Sequence, residues 1–292
     1  MILASLVLFT HAMAAEVETD AVTVAAIAAT VYSANAILHE GVGHEFGCLI
    51  GGGKPTGFST AVAGCEVDTA SGYRLLTAGG ALGNLAFGAG FGVSLVAAPP
   101  EDGAAHYALW LATVTNLWQA SGYLMVGPWL PVGDWGSEGF LRDVDHPLPL
   151  QIGLSALGTG MTLGTIPVAH QLGKPLFGEQ RYASGRGRLL TLMPYFGASS
   201  LIVGSALLGR AGPEFAVSAA VSNFAGTLFL AYLPLFFSDK FFEPGDPYKG
   251  EIKAIRRSPA WWVVGGVVAL GTVAVLGPGV GQFEKPHPLD PR

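Results

Sequence analysis

The chain has 292 residues, half of them hydrophobic and 12% charged, with a mean hydropathy of +0.46. A soluble domain carries about twice that charged fraction, so the repeated apolar runs define an all-α polytopic membrane protein embedded in a lipid bilayer. The formal net charge of −6 comes without a basic block, which argues against a nucleic-acid partner.

In chain order, residues 1–20 read as a signal peptide or a short N-terminal helix. The segment has an apolar core, Ile2 to Phe9, and a small-residue pattern at Ala12–Ala15 like a cleavage site, but no basic n-region. A first long helix is predicted over Ala21–Ile50. The glycine-rich stretch after it contains two short predicted strands around a turn, Thr56–Val62 and Cys65–Asp68. Helices follow over Tyr73–Ala97 and Ala104–Val126, and the second runs into Gly127–Gly136, where Pro128 and Pro131 break it at membrane depth. Further spans are expected at Leu150–His170, Leu189–Leu208, Glu214–Phe237 and Ala260–Leu276. The expected fold is six to eight transmembrane helices with a short β-hairpin between the first two core helices. Residues 141–277 supply additional helices, and the Pro-rich tail, 278–292, reads as disordered.

Cys48 and Cys65 are too few for a disulfide framework. They make either one bridge in an oxidising compartment or a pair of free thiols. With seven spans, nine Lys and Arg residues lie on the side opposite the end of the first helix and six on its own side. That bias directs the end of the first helix outward. In the later helices, Asn223 is expected to bond across helices, and Trp261-Trp262 to anchor a helix end at the interface.

The chemistry concentrates at His39-Glu40-Gly41-Val42-Gly43-His44, near the end of the first helix. Imidazole and carboxylate groups in an apolar helix mark a functional site, and these residue types suit a zinc site with a general base. Histidines four apart share a helix face; at five apart they stand about 140° apart, too far for one metal. A π-type turn absorbs the extra residue, and Gly41 and Gly43 make that distortion cheap. Glu40, His44 and Cys48 at i, i+4, i+8 form an alternative mixed ligand set on regular helix. Histidines hydrogen-bonded inside a helix bundle are the bland reading. Zinc also needs a third ligand, and Asp134, in the Pro-broken stretch, is the favoured candidate over Asp143, Asp145 and His146. His106 and His170 sit at helix ends, where histidine is ordinary.

Three separated stretches resemble the site-2-protease-like intramembrane zinc metalloproteases, over about residues 21–140. Leu38–Phe58 is similar to that family's His-Glu-x-x-His helix and the glycine-led strand after it. Thr77-Ala-Gly-Gly-Ala-Leu-Gly-Asn84 is similar to the motif that opens the next family helix. Gly127–Gly136 is similar to the Pro-containing segment that ends in the aspartate ligand. The resemblance implies Zn²⁺ held by His39, His44 and Asp134, Glu40 as general base, and Asn84 helping to shape the site. It also implies a transmembrane protein or peptide substrate, a bacterial inner-membrane location and a site facing the cytoplasm. The chain departs from the pattern in its five-residue histidine interval, in Gly80 where the family has proline, and in Trp135 after Asp134. It also lacks the asparagine usually set before the proline. The stretched histidine interval and Trp135 favour the rival expectation, a non-catalytic metal-binding pseudoprotease or an accessory subunit of a larger membrane complex.

Overall fold

A computed structural model describes residues 18–178, 182, 184–209, 214–236 and 250–281. Residues 1–17 of the expected leader or short helix, and 282–292 of the tail, lie outside the described residues.

Helix α1 (Ala21–Ala36) starts where the Asp20 carboxylate accepts the Thr23 amide at 2.8 Å, satisfying a free N–H of the first turn. It runs on through a π-helical stretch, Ile37–His44, into α2 (Glu45–Ile50). Strands β1 (Lys54–Phe58) and β2 (Ala63–Glu66) form the expected hairpin. Their turn spans 59–62, where the Ser59 amide donates to the Val62 carbonyl, so the strands end earlier than the apolar pattern suggested. Thr69 caps α3 (Ala70–Ala97) and Asp102 caps α4 (Gly103–Val126). After a turn at Gly127–Trp129 and an irregular stretch, α5 runs over Leu148–Phe177. The next rod joins α6 (Gly185–Met193), a π-helical turn at Pro194–Ala198, and α7 (Ser199–Ala206). Another joins α8 (Glu214–Ala220), a π-helical turn at Val221–Ala225, and α9 (Leu228–Phe236). The last, α10 (Pro259–Gly271), continues through Thr272–Leu276 to a short strand, β3 (Val280–Gly281). Within the stretch read as disordered, β3 is therefore paired structure. It completes a three-stranded antiparallel sheet in the order β2-β1-β3.

Among the described residues, six of these seven rods are long and apolar enough to cross a membrane. The other, α4, is the central helix. Trp110 and Trp118 are fully buried in it, and so are Thr115 and Asn116. Its polar residues lower its hydropathy and bond across the bundle. Asn35 on α1 donates to Thr115 at 2.7 Å, and Asn116 donates back to Asn35 at 2.6 Å, which fixes α1 one helical turn before His39. Asn223 donates instead to Ala219 of its own helix, because that carbonyl, four residues back, is within reach. Trp262 ties the start of α10 to the start of α1. Its indole donates to Thr23 at 3.0 Å, and the Arg257 guanidinium lies 4.5 Å over its ring.

α2 and the π-helical stretch cross α3 on bare backbone. Gly43 and Gly47 face Gly79, Gly83 and the Leu75 carbonyl, and a Cβ on Gly43 would meet the Gly79 oxygen at 2.7 Å. Small residues four apart on both helices permit this approach. At the end of α2, Cys48 is bonded to Cys65 of β2. The bridge closes a loop with a sequence separation of 17 residues, a constraint on the unfolded chain of about 3 kcal/mol by loop-closure entropy. It also removes the alternative ligand set, because Cys48 is in a disulfide and offers no thiolate.

Candidate metal centre

The five-residue histidine interval is accommodated by the π-helical stretch Ile37–His44, which ends on the second histidine. A π-helix turns through one more residue per cycle than an α-helix, so His39 and His44 come to the same side. Gly41 has a second reason to be glycine, since a Cβ there would meet the Phe58 ring of β1 at 2.8 Å. The two imidazoles meet edge to face, with centroids 4.8 Å apart.

Asp134 arrives from the irregular stretch after α4. Gly133 has φ +89°, a backbone region that disfavours a side chain, and a Cβ there would collide with the Tyr123 hydroxyl. That hydroxyl accepts the Asp134 amide at 3.0 Å and so fixes the carboxylate's approach. His39 Nε2 lies 3.2 Å from Asp134 Oδ2, His44 Nε2 lies 3.4 Å from Asp134 Oδ1, and the two Nε2 atoms are 3.3 Å apart. Each of the three residues thus offers a donor atom to one small region, with these atoms within 4.8 Å of one another. Asp134 Oδ2 is buried without a hydrogen-bond partner despite its closeness to His39, as expected of an atom aimed at a shared centre and not at a proton.

The tautomer of His44 fits as well. Its Nδ1 is 2.7 Å from the Leu76 carbonyl, which can only accept, so Nδ1 carries the proton and Nε2 is left with its lone pair. His39 Nδ1 is buried and unpartnered, as are both amide atoms of Asn84. Asn84 follows Gly80 by one turn of α3 and shares its helix face. Gly80 itself packs on both rings, and a Cβ there would meet His44 Nε2 at 2.5 Å and His39 Nε2 at 2.7 Å.

Glu40 is buried and stands 3.8 Å from His44 Nε2, outside the three-donor set. With His39 and Asp134 it lines a cavity of about 20 Å³, enough for about one water. The hairpin turn contributes Thr60 and Ala61 to the lining, and the opposite wall is polar, with Gln119, Tyr123, Ser218, Ser222 and Asn223. Sequence reading had singled out only Asn223 of these lining residues. Gln119 donates to Ser222 at 3.0 Å. A glutamine and a tyrosine four residues apart in an apolar helix gave a usable signal for this wall, since both fall on one face.

The other sequence candidates stay apart. Asp143, Asp145 and His146 lie in an exposed loop, and Arg142 pairs with Asp143 at 3.8 Å. His106 bonds the Leu172 carbonyl, and His170 meets the Tyr182 ring edge to face. Trp135 turns away from the donors to pack on Phe140, with ring centroids 5.2 Å apart. Tyr123→Phe removes the acceptor for the Asp134 amide, and we expect metal affinity to fall about 10- to 100-fold, read by chelator competition. An unchanged affinity would show that Asp134 needs no such support.

Fold and site together define a helical, membrane-type protein with a buried His39–His44–Asp134 group able to hold a metal ion. No family model, curated protein or solved structure matches the chain.

Proposed function

We propose that the chain is an intramembrane zinc metalloprotease that cleaves membrane-embedded or membrane-associated peptides, in the manner of the site-2-protease-like family it resembles. One observation carries the metal assignment. Ligands at about 2.0–2.1 Å in a tetrahedron stand about 3.3 Å apart; here the two Nε2 atoms are 3.3 Å apart, and each has one of the two Asp134 carboxylate oxygens beside it, at 3.2 Å for His39 and 3.4 Å for His44. Two imidazoles and one carboxylate suit zinc and leave a fourth position open for water.

A bound zinc would supply a Lewis acid that acidifies water and polarises a carbonyl. The chain's own residues supply the rest. Glu40, on the cavity wall and free of the donor set, takes the water's proton and returns it to the leaving amine. Tyr123 holds Asp134 in place, and Leu76 holds His44 in the productive tautomer. His39, Glu40 and His44 are buried, which limits bulk water at the site.

The rival, a non-catalytic subunit, drew on the stretched histidine interval and on Trp135. The π-helical turn absorbs the first, and the second points away from the cavity. Metal analysis of purified protein tests the reading. About one zinc per chain is expected, lost in both His44→Ala and Asp134→Ala. Zinc-free wild type, prepared without chelator, would sink the metal site and with it the protease.

A further inference from the structure

His39 and Glu40 are buried, 4% and 8% exposed, so a peptide reaches them only if part of the surrounding wall moves. The hairpin turn is the wall placed to do so, because Thr60 and Ala61 line the cavity beside them. Its base is fixed, because Cys65 of β2 is bonded to Cys48 of the metal-site helix. Its tip is held by contacts from elsewhere in the chain. The Thr60 amide donates to the Leu276 carbonyl at 3.1 Å, and Ser205 donates to the Thr60 hydroxyl at 3.0 Å. Val280 and Gly281 pair antiparallel with Phe58 and Gly57, along the β1 edge that β2 leaves open.

That edge is where an extended peptide would add to the sheet. Strand addition gains affinity from main-chain hydrogen bonds, and a helical substrate must unwind before it can offer them. Here the edge is occupied by the protein's own strand. The fit is backbone on backbone. A Cβ on Gly57 would collide with the Val280 carbonyl, and a Cβ on Gly281 would collide with the Thr56 carbonyl and come within 2.7 Å of the Gly57 Cα.

We propose that β3 is an intramolecular strap occupying the substrate edge. An extended segment of a membrane peptide replaces Val280–Gly281 on β1, the Thr60–Ala61 tip lifts, and the path to His39, His44 and Asp134 opens. The displacing segment carries glycine or another very small residue opposite Gly57. Such residues are also the ones that let a membrane helix unwind. The identity of the displacing strand rests on the protease reading; the strap and the lid do not.

The test uses full-length, zinc-loaded protein in nanodiscs. Gly281→Val should dislodge the strap, since Gly281 has φ +94° and no room for a Cβ. Amide exchange across residues 57–62 should then quicken about tenfold or more while α3 is unaffected. Binding of a fluorescent transmembrane peptide with a Gly-Gly centre should tighten about tenfold. A synthetic peptide copying residues 276–282 should compete for it. Val280→Ala keeps the backbone pairing and should behave as wild type. A chain ending at Gly279 gives the same readouts should Gly281→Val fail to fold. Unchanged exchange, faster exchange without tighter binding, or binding that the strap peptide does not compete would each overturn the proposal. Tighter, competed binding without cleavage of the probe would keep the strap and count against the protease.

Discussion

Glu40→Gln is expected to retain one metal per chain and to lose peptide-bond cleavage by about 10²- to 10⁴-fold, the range for removing a general acid–base group. Glutamine matches glutamate in volume, so the buried packing around residue 40 is kept. Metal retention follows from the geometry, because His39, His44 and Asp134 converge on one another and Glu40 stands outside the set at 3.8 Å from His44. What disappears is a proton acceptor on the wall of a cavity that holds about one water. Glu45→Gln is the matched control. Glu45 is half-exposed and five residues further along the rod, so it should leave turnover unchanged. Parental turnover in Glu40→Gln, with metal content equal, would remove Glu40 from the mechanism.

The part of the site that was legible lay where chemistry and spacing coincide. Two histidines around a glutamate in an apolar helix stand out because such groups are costly there, and their interval of five demanded a π-type turn, which the backbone makes over Ile37–His44. Asp134 was legible for the same reason, as an acid after a Pro-broken helix without a nearby cation. The polar wall was harder to read. Gln119, Ser218 and Ser222 come from helices far apart in the chain, and each alone resembles an ordinary helix-packing residue. β3 was not legible because two residues, one of them glycine, carry no alternating pattern, and their pairing is decided by an edge more than 200 positions away. The Cys48–Cys65 bond could not be read from two cysteines, since only the fold brings α2 against β2.

The disulfide also bears on orientation. Such bonds persist in oxidising compartments, and this one lies at the Ile50 end of the metal-site helix. The nine-to-six division of Lys and Arg points the same way, with the charge-rich loops inside. His44 lies six residues, about 9 Å, from that end. Both observations argue for a site near the outer face, opposite to what the family resemblance implies. An exposed-cysteine labelling map of the 51–69 and 127–147 loops would settle it. Labelling only from the cytoplasmic side would restore the family topology.

Gly80→Ala is expected to lower metal affinity by at least about 100-fold, which at 1.4 kcal/mol per tenfold is about 3 kcal/mol. The family it resembles has proline at this place, so glycine here first reads as a departure. The geometry gives the reason. In the π-helical arrangement the histidine rings press on α3, and a single methyl at position 80 would sit 2.5 Å from His44 Nε2 and 2.6 Å from His39 Cε1. Those separations are far inside van der Waals contact, so one or both rings must rotate, and Nε2 is the donor atom on each. His44 cannot move freely, because its Nδ1 proton is committed to Leu76, the residue four before Gly80 on the same helix. The strain therefore falls on the donor group itself, where each Nε2 lies 3.3 Å from the other and 3.2 or 3.4 Å from an Asp134 oxygen. Gly90→Ala, on the same helix with nothing near its Cβ, separates this from a general effect on α3, and should bind metal as wild type does. Equal zinc retention by the two variants under chelator challenge would mean that the rings do not hold the positions on which the metal centre depends.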